Sequence, residues 1–355
     1  MARTFVSVLI DTYNHERFIE QAIVSVLEQD FPAAEREIIV VDDGSTDRTP
    51  EIVKKFEPLV RLLGKENAGQ ASAFNAGIPE CKGEIIAFLD GDDWWASNKL
   101  TRVVQAMAAE PSVGIVGHGI VNVQRDGREQ AEVLREGFQF RANTIDGALL
   151  FRRRGAFLGT SRMTIRSDLL RRIGPVPEGI KIQADEYLFT LATVLAGAKI
   201  LPETLTYYRL HEGNSFQLAS HDRQKLRRKQ ASLAILAASL SRQLEKFGIA
   251  PQVRRTVIAY TKCSADQLRL GLDGGWPWET VTTEWKIYEI LHPDARLSHR
   301  VFKLTILLGA LITTPKEFYR IQRRLAQNGF YQRARARWIP VPEMEHIQKD
   351  WHAGS

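Results

Sequence analysis

Cysteine is scarce: only Cys81 and Cys263 occur in 355 residues. With no C-x-x-C pair, a disulfide framework and any zinc site built on neighbouring thiolates are excluded, and a reducing compartment is the simplest setting. Long hydrophobic runs are missing as well. The longest, Leu304 to Ile312, is interrupted by Thr305 and Gly309 and is about half of the roughly 20 residues needed to span a bilayer. The first residues reach the polar Asp11-Thr12-Tyr13-Asn14 stretch with no leader-like apolar segment before it. No transmembrane helix is expected, and the expected location is cytoplasmic, with peripheral contact at the inner face of a membrane as an extension of it. Neither G-x-G-x-x-G nor a P-loop appears, and there is no internal repeat or low-complexity tract.

What is present is ordinary for a folded chain: 44% hydrophobic and 25% charged residues. The length suggests two domains, or one large α/β domain with an appendage. Lys plus Arg exceed Asp plus Glu by 48 to 42, a net charge of +6. That excess suits an anionic partner (nucleic acid, anionic lipid or a phosphorylated ligand), and composition does not choose among them.

Phe5 to Ile10, Glu37 to Val41, Val60 to Leu63 and Glu84 to Leu89 are short branched apolar runs, the pattern of strands buried on both faces. Helical spacing fills the gaps: Phe18, Ile19, Ala22, Ile23, Val26 and Leu27 recur with that period, and Thr49-Pro50 reads as an N-cap and first-turn pair opening a helix to Phe56. The order β-α-β-α-β-α-β predicts an α/β fold, a mostly parallel sheet with helices on both faces. Ligands of such sheets bind beyond the carboxyl ends of the strands. From Gly117 to Ser161 the pattern is mixed, with a hairpin predicted at Asp126-Gly127. A helix from Asp185 to about Ala196 and strands near Lys199 to Leu201 and Leu205 to Arg209 follow. After His221 the composition turns to long Ala, Leu, Arg and Gln helical stretches. The predicted organisation is a first domain over residues 1–220, in two halves (1–100 and 101–220), and a helical C-terminal region over 221–355.

Three polar segments stand at strand ends: Asp11-Thr12-Tyr13-Asn14, Asp42-Asp43-Gly44-Ser45-Thr46-Asp47 and Asp90-Gly91-Asp92-Asp93. Carboxylates gathered on one edge repel unless a cation or donor-rich ligand compensates, and hard oxygen ligands suit Mg²⁺ or Mn²⁺.

The segments VSVLIDTYN, IIVVDDGSTDRT, ENAGQASAFNAGI and GEIIAFLDGDDWW with NKL, in that order, resemble an inverting family 2 glycosyltransferase of the GT-A fold. The likeness is specific from Val6 to about Leu100, continues more loosely through ADEYLFTLATVLAGAKILPETLTYYRLHEGNS, and has no motif beyond residue 220. The resemblance implies a metal-dependent transfer of a sugar from a nucleotide diphosphate sugar, expected to be a UDP-sugar, to a hydroxyl of a glycan or lipid-linked acceptor. It places Asp11, Tyr13 and Asp43 at the nucleotide, with the tyrosine ring stacking on the base, Asp90 at the ribose and Asp92 on the metal. Asp93 is either a further carboxylate of the site or a helix cap. Asn75 is carried over to the nucleotide site, although Phe74 stands where the family usually has a basic residue. This weakens a phosphate role and leaves Asn75 to buttress the Asp90 loop or to serve the helix interior. Asp185-Glu186 resembles the acidic pair that supplies the catalytic base, in reversed order; alignment on Tyr187 puts the base at Glu186, with Asp185 as the helix cap or the base itself. His211 stands where some relatives bring a histidine to the metal or diphosphate, and Trp94 and Trp95 are candidates for stacking on a sugar, one of them for the core.

The C-terminal stretch interleaves Lys316, Arg320, Arg323, Arg324, Arg333, Arg335 and Arg337 with Phe318, Tyr319 and Trp338. It resembles an interfacial helix, while a helical subdomain or an oligomer interface fits the same pattern. No Q-x-x-R-W motif appears, against a processive synthase. A sugar nucleotidyltransferase, expected to show a Gly-rich basic loop near its first strand, and an inactive nucleotide-sugar binding protein are the rival readings. Nucleic acid is not an expected partner.

Overall fold

The computed structural model describes residues 4–211, 222–326 and 345–347. The four predicted strands form where expected: β1 (Val6–Thr12), β2 (Arg36–Asp42), β3 (Arg61–Gly64) and β4 (Ile85–Asp90), all parallel in the order β3-β2-β1-β4. The side chains of β1, β2 and β4 are largely buried on both faces because helices cover both, whereas β3, at the edge, is half-exposed. Ile10, Ile38 and Val40 pack with Ile19, Ile23 and Val26 of α1 (Ile19–Leu27) and with Val53 of α2 (Thr49–Lys54). Leu9, Ile39 and Val41 face α3 (Gln70–Gly77). The register sets Asp11 opposite Asp90 and Thr12 opposite Asp42, so all three acidic segments leave the sheet at one level. Asp47 caps α2, accepting from the Thr49 N–H at 2.9 Å, so Thr49 is the first helical residue and not the cap, and the helix ends at Lys54, short of Phe56.

Beyond β4 come β5 (Trp94–Trp95), α4 (Lys99–Ala109) and β6 (Ile115–Val123), then β7 (Glu129–Val133) across the predicted turn, in which Gly127 takes φ 81°. Next are β8 (Phe138–Phe140), α5 (Ile145–Arg154), β9 (Thr164–Arg166), α6 (Ser167–Ile173) and α7 (Ala184–Ala196). The two strands expected after α7 are one, β10 (Ala198–Arg209). It runs parallel to β6, with register shifts between Leu201 and Thr206 that take up Pro202. Antiparallel pairing enters the sheet at β9, which sits between β4 and β6.

The C-terminal helices are α8 (Arg223–Lys246), α9 (Pro251–Asp273), α10 (Trp278–Leu291), α11 (Leu297–Ile312) and α12 (Pro315–Ala326), and β11 (Glu345–Ile347) pairs with β7. Leu233, Leu236, Leu240, Val253 and Val257 of α8 and α9 share one apolar core with Leu188, Leu191 and Val194 of α7. The helical region is thereby anchored beside the element that carries Asp185 and Glu186. Among the described residues no helix is long and apolar enough to cross a membrane. Arg333, Arg335, Arg337 and Trp338 lie outside the described residues.

Candidate active site

Asp11, Asp90, Asp92, Asp93 and Asp185 gather at the carboxyl ends of β1 and β4. One carboxylate oxygen each from Asp90, Asp92 and Asp93 lie within 4.8 Å of one another. The chain folds this way locally because Gly91 follows β4: a Cβ there would stand 2.6 Å from Thr12 Oγ1, so only glycine lets the β4 turn close on β1. Burial, and then the neighbouring charges of Asp11, Asp92, Asp93 and Asp185, push the Asp90 carboxyl well up. Asp11 is raised to about 7, by burial and then by Asp92, and its Oδ1 is buried with no hydrogen-bond partner. Asp93 is raised by burial and then by Asp92, although Ser161 Oγ donates to it at 2.6 Å and the Arg209 N–H at 3.0 Å. Asp92 differs. Burial acts to raise it, but His211, whose Nε2 lies 2.8 Å from Oδ2, and His15, at 3.9 Å from the same oxygen, hold its carboxyl below the usual range.

Buried carboxylates raised by one another's charge (Asp90, Asp93 and Asp11, the last with an orphaned oxygen) around an Asp92 held low fit a divalent cation. Asp90, Asp92 and Asp93 would hold it, with His211 and His15 as nitrogen donors at its edge.

The structure separates the two candidates for the base. Asp185 belongs to the acidic cluster: its Oδ2 accepts from the Thr160 N–H at 3.2 Å, and its charge acts on both Asp11 and Asp90. Burial, then the adjacent Glu186, raise it to about 6. Glu186 is one position round the helix and turns the other way, accepting from Thr261 Oγ1 of α9 and facing the buried Arg152 guanidinium.

The remaining residues sort by what they touch. Tyr13 is 44% exposed at the end of β1, beside a loop whose Asn14 (φ 56°) accepts from the Thr46 N–H at 2.8 Å. Both oxygens of Asp43 are occupied, by Lys65 Nζ at 2.6 Å and by the Ala68 and Gly69 N–H groups at 3.1 and 2.7 Å, so it organises the loop before α3. Both ends of the Asn75 amide are taken up away from the acidic loop. Its amide pairs with both the N–H and the C=O of Val176, at 2.8 Å each, and thereby ties α3 to the loop after α6. Trp95 is buried, donating to the Ser161 carbonyl at 3.0 Å with the Lys99 ammonium 3.6 Å from its ring, so it is the core member of the pair and not a sugar platform. Trp94 is half-buried, stacked on Tyr207 with ring centroids 5.1 Å apart and with Arg209 over its ring at 4.5 Å.

Several residues of the site were not singled out by the sequence. Ser161 bridges the acidic loop: its hydroxyl donates to Asp93 and accepts from the Asp90 N–H, and its carbonyl accepts from Trp95, Lys99 and Thr206. Gln70 joins α3 to α7, accepting from the Ala184 N–H at 3.0 Å and donating to Thr160 Oγ1 at 3.2 Å and Asp90 at 3.4 Å. His15 follows the first polar segment, and that position was its one signal. Gln70 and Lys99 lie in the ENAGQASAFNAGI and NKL segments with no role of their own read there, and for Ser161 the sequence offered no signal.

The glycosyl transferase family 2 model matches residues 7–173. An uncharacterised glycosyltransferase of Nostoc sp. is 32% identical over 221 residues, covering 61% of this chain and 67% of the relative, so the chain spans about two thirds of that protein. Among solved structures, Staphylococcus aureus TarS residues 1–349 in complex with UDP-GlcNAc superposes with a TM-score of 0.60 at 17% identity, covering 98% of both chains. The Pyrobaculum calidifontis mannosyltransferase PcManGT, in complex with GDP-Man and Mn²⁺, gives 0.51 at 19% identity over 92% of this chain and 89% of its own. With the matched motifs occupying the strand ends described above, the chain belongs to glycosyltransferase family 2 and has the GT-A fold.

Proposed function

We propose that the protein transfers a sugar, with inversion, from a nucleotide diphosphate sugar to a hydroxyl of a glycan or lipid-linked acceptor. A UDP-sugar is the first donor to test, because the TarS neighbour is held with UDP-GlcNAc. The observation that carries this is the convergence of Asp90, Asp92 and Asp93 with Asp11 and its orphaned oxygen at the strand ends where α/β sheets bind ligands, with Asp185 of α7 beside them.

A bound Mn²⁺ or Mg²⁺ would offset the charge of the departing diphosphate. The chain's own residues do the rest. Tyr13 offers an exposed ring for the base. Asp92, kept ionised by two imidazoles, is the carboxylate best prepared to hold the cation. Asp185 is the general base: it shares the cleft with Asp90, and a carboxyl raised to about 6 is ionised at neutral pH yet basic enough to take the acceptor's proton. That assignment reverses the order favoured by alignment on Tyr187, since Glu186 faces Thr261 and Arg152.

The test is release of nucleoside diphosphate from a panel of nucleotide sugars with Mn²⁺, with the product anomer read by proton NMR. An α-linked donor should give a β product. Retention of configuration, or no release from any donor with any hydroxyl acceptor tried, would count against the reading.

A further inference from the structure

The surplus positive charge of the chain is not spread over it. Residues 1–290 contain 37 basic and 37 acidic side chains, whereas residues 291–326 contain seven basic side chains against only Asp294 and Glu317. Five of the six net charges therefore sit on the segment that forms α11 and α12.

The same segment carries an unpartnered apolar face. Leu307 and Ala310 of α11 are buried in a small core with Leu270, Val281 and Tyr319. On the opposite side Leu297, Val301, Leu304, Leu308 and Ile312 recur at spacings of three and four, and all are exposed, Leu297 at 77% and Ile312 at 86%. The stripe is about 24 Å long at 1.5 Å per residue. Bases mark its ends: Arg296 is the N-cap of α11, and Lys316 opens α12 just past its C-terminus. Arg300, Lys303 and Arg320 have acidic neighbours in Glu289, Glu284 and Glu317, so they contribute less than their number suggests.

We propose that α11, with the start of α12, docks the protein on an anionic lipid bilayer. An apolar stripe ended by bases is what an interfacial helix requires: leucines enter the acyl boundary while Arg and Lys stay at the headgroups. A second copy of this chain is a poor occupant, because pairing the same face would bring two net-positive segments together. Nucleic acid would answer the charge and leave five aliphatic side chains without a partner. Docking of this kind does not depend on the sugar chemistry, although a lipid-linked acceptor would give it a use.

The test is sedimentation of the full chain with phosphatidylcholine vesicles, with and without phosphatidylglycerol, at low and high salt. Two double variants accompany it: Leu304→Glu with Leu308→Glu, and Arg296→Glu with Lys316→Glu. All four side chains lie on the surface segment, and thermal melting checks that the fold is kept. The wild type should bind the phosphatidylglycerol vesicles and release in high salt. Each variant should lose at least about tenfold in partitioning: the base variant because each base near an anionic surface is worth roughly a factor of five, and the leucine variant because two apolar side chains no longer enter the acyl boundary and two carboxylates face the anionic headgroups. Failure of the wild type to bind overturns the proposal. So does equal binding by all three proteins, which would put the contact elsewhere, for instance in residues 327–355. Self-association abolished by the leucine variant, without vesicle binding, would make the face an interface between copies and equally overturn it.

Discussion

Exchanging Asp185 for Asn should make the protein more stable and nearly inactive. The carboxyl is raised from its ordinary 3.8 to about 6 by burial and by Glu186, so holding it ionised at neutral pH costs on the order of 3 kcal/mol at 1.36 kcal/mol per unit. Asparagine removes that cost. It keeps one acceptor oxygen for the Glu186 N–H, at 2.9 Å, or the Thr160 N–H, at 3.2 Å, but not both, losing about 0.5–1.5 kcal/mol for the missing bond. The balance is a gain of roughly 1.5–2.5 kcal/mol in unfolding free energy. Turnover should meanwhile fall by about 10²–10⁴, or roughly 3–5 kcal/mol of barrier, the usual contribution of a general base. Glu186→Gln is the reciprocal case. It should leave turnover within about threefold and lower the melting temperature, because the charge facing buried Arg152 is lost and a buried partner removed costs about 1–3 kcal/mol. Urea unfolding and steady-state kinetics on the two variants check both halves. A folded Asp185→Asn enzyme with near-normal turnover, or a folded Glu186→Gln enzyme without it, would refute the assignment.

Three further outcomes follow from the geometry. Raised folded-state carboxyl pKa values favour the protonated native form, so their contribution is full in acid and is lost as pH rises through about 6 for Asp185 and about 7 for Asp11. Differential scanning fluorimetry should therefore show saturating Mn²⁺ raising the melting temperature more at about pH 8 than at about pH 5; equal shifts would be inconsistent with a cation among these groups. Asn75→Ala should cost about 1–3 kcal/mol of stability by stranding the Val176 N–H and C=O, with the donor KM unchanged once the protein is folded, and a raised KM would restore a nucleotide role. Tyr13→Ala should weaken nucleoside diphosphate binding by roughly tenfold through lost stacking, measured by calorimetry; unchanged affinity would remove the ring from the base site.

Some of this was legible before any coordinates. The four parallel strands were, three of them because a strand covered on both faces is mostly apolar, as FVSVLI, EIIVV and EIIAFL are, and the edge strand from its short apolar run Val60 to Leu63. The hairpin at Asp126-Gly127 was legible from turn chemistry, and the acidic edge from the position of each segment after a strand. What escaped was decided across the chain. Asp185 and Glu186 are adjacent in the first turn of α7, about 100° apart, and only the packing of α9, which brings Thr261 to Glu186, settles which of them faces the cleft. Asn75 sits in a motif, but its partner Val176 is 101 residues away. Ser161 is a single polar residue outside every motif, and Lys99 lies in the NKL segment with no partner legible there. Their importance arises because the Ser161 carbonyl is where Trp95, Lys99 and Thr206 converge under the acidic loop.

The claim on which the rest depends is that the acidic edge holds a cation and, through it, a nucleoside diphosphate. Its most direct test is calorimetric titration of UDP, then GDP, into the full chain with and without Mn²⁺, alongside Asp92→Asn. Measurable binding with Mn²⁺, weaker by at least about tenfold when the metal is withheld or Asp92 is exchanged, is the outcome expected, a difference of about 1.4 kcal/mol or more. Equal affinity with and without metal, or no binding of either nucleotide with Mn²⁺ present, would contradict it.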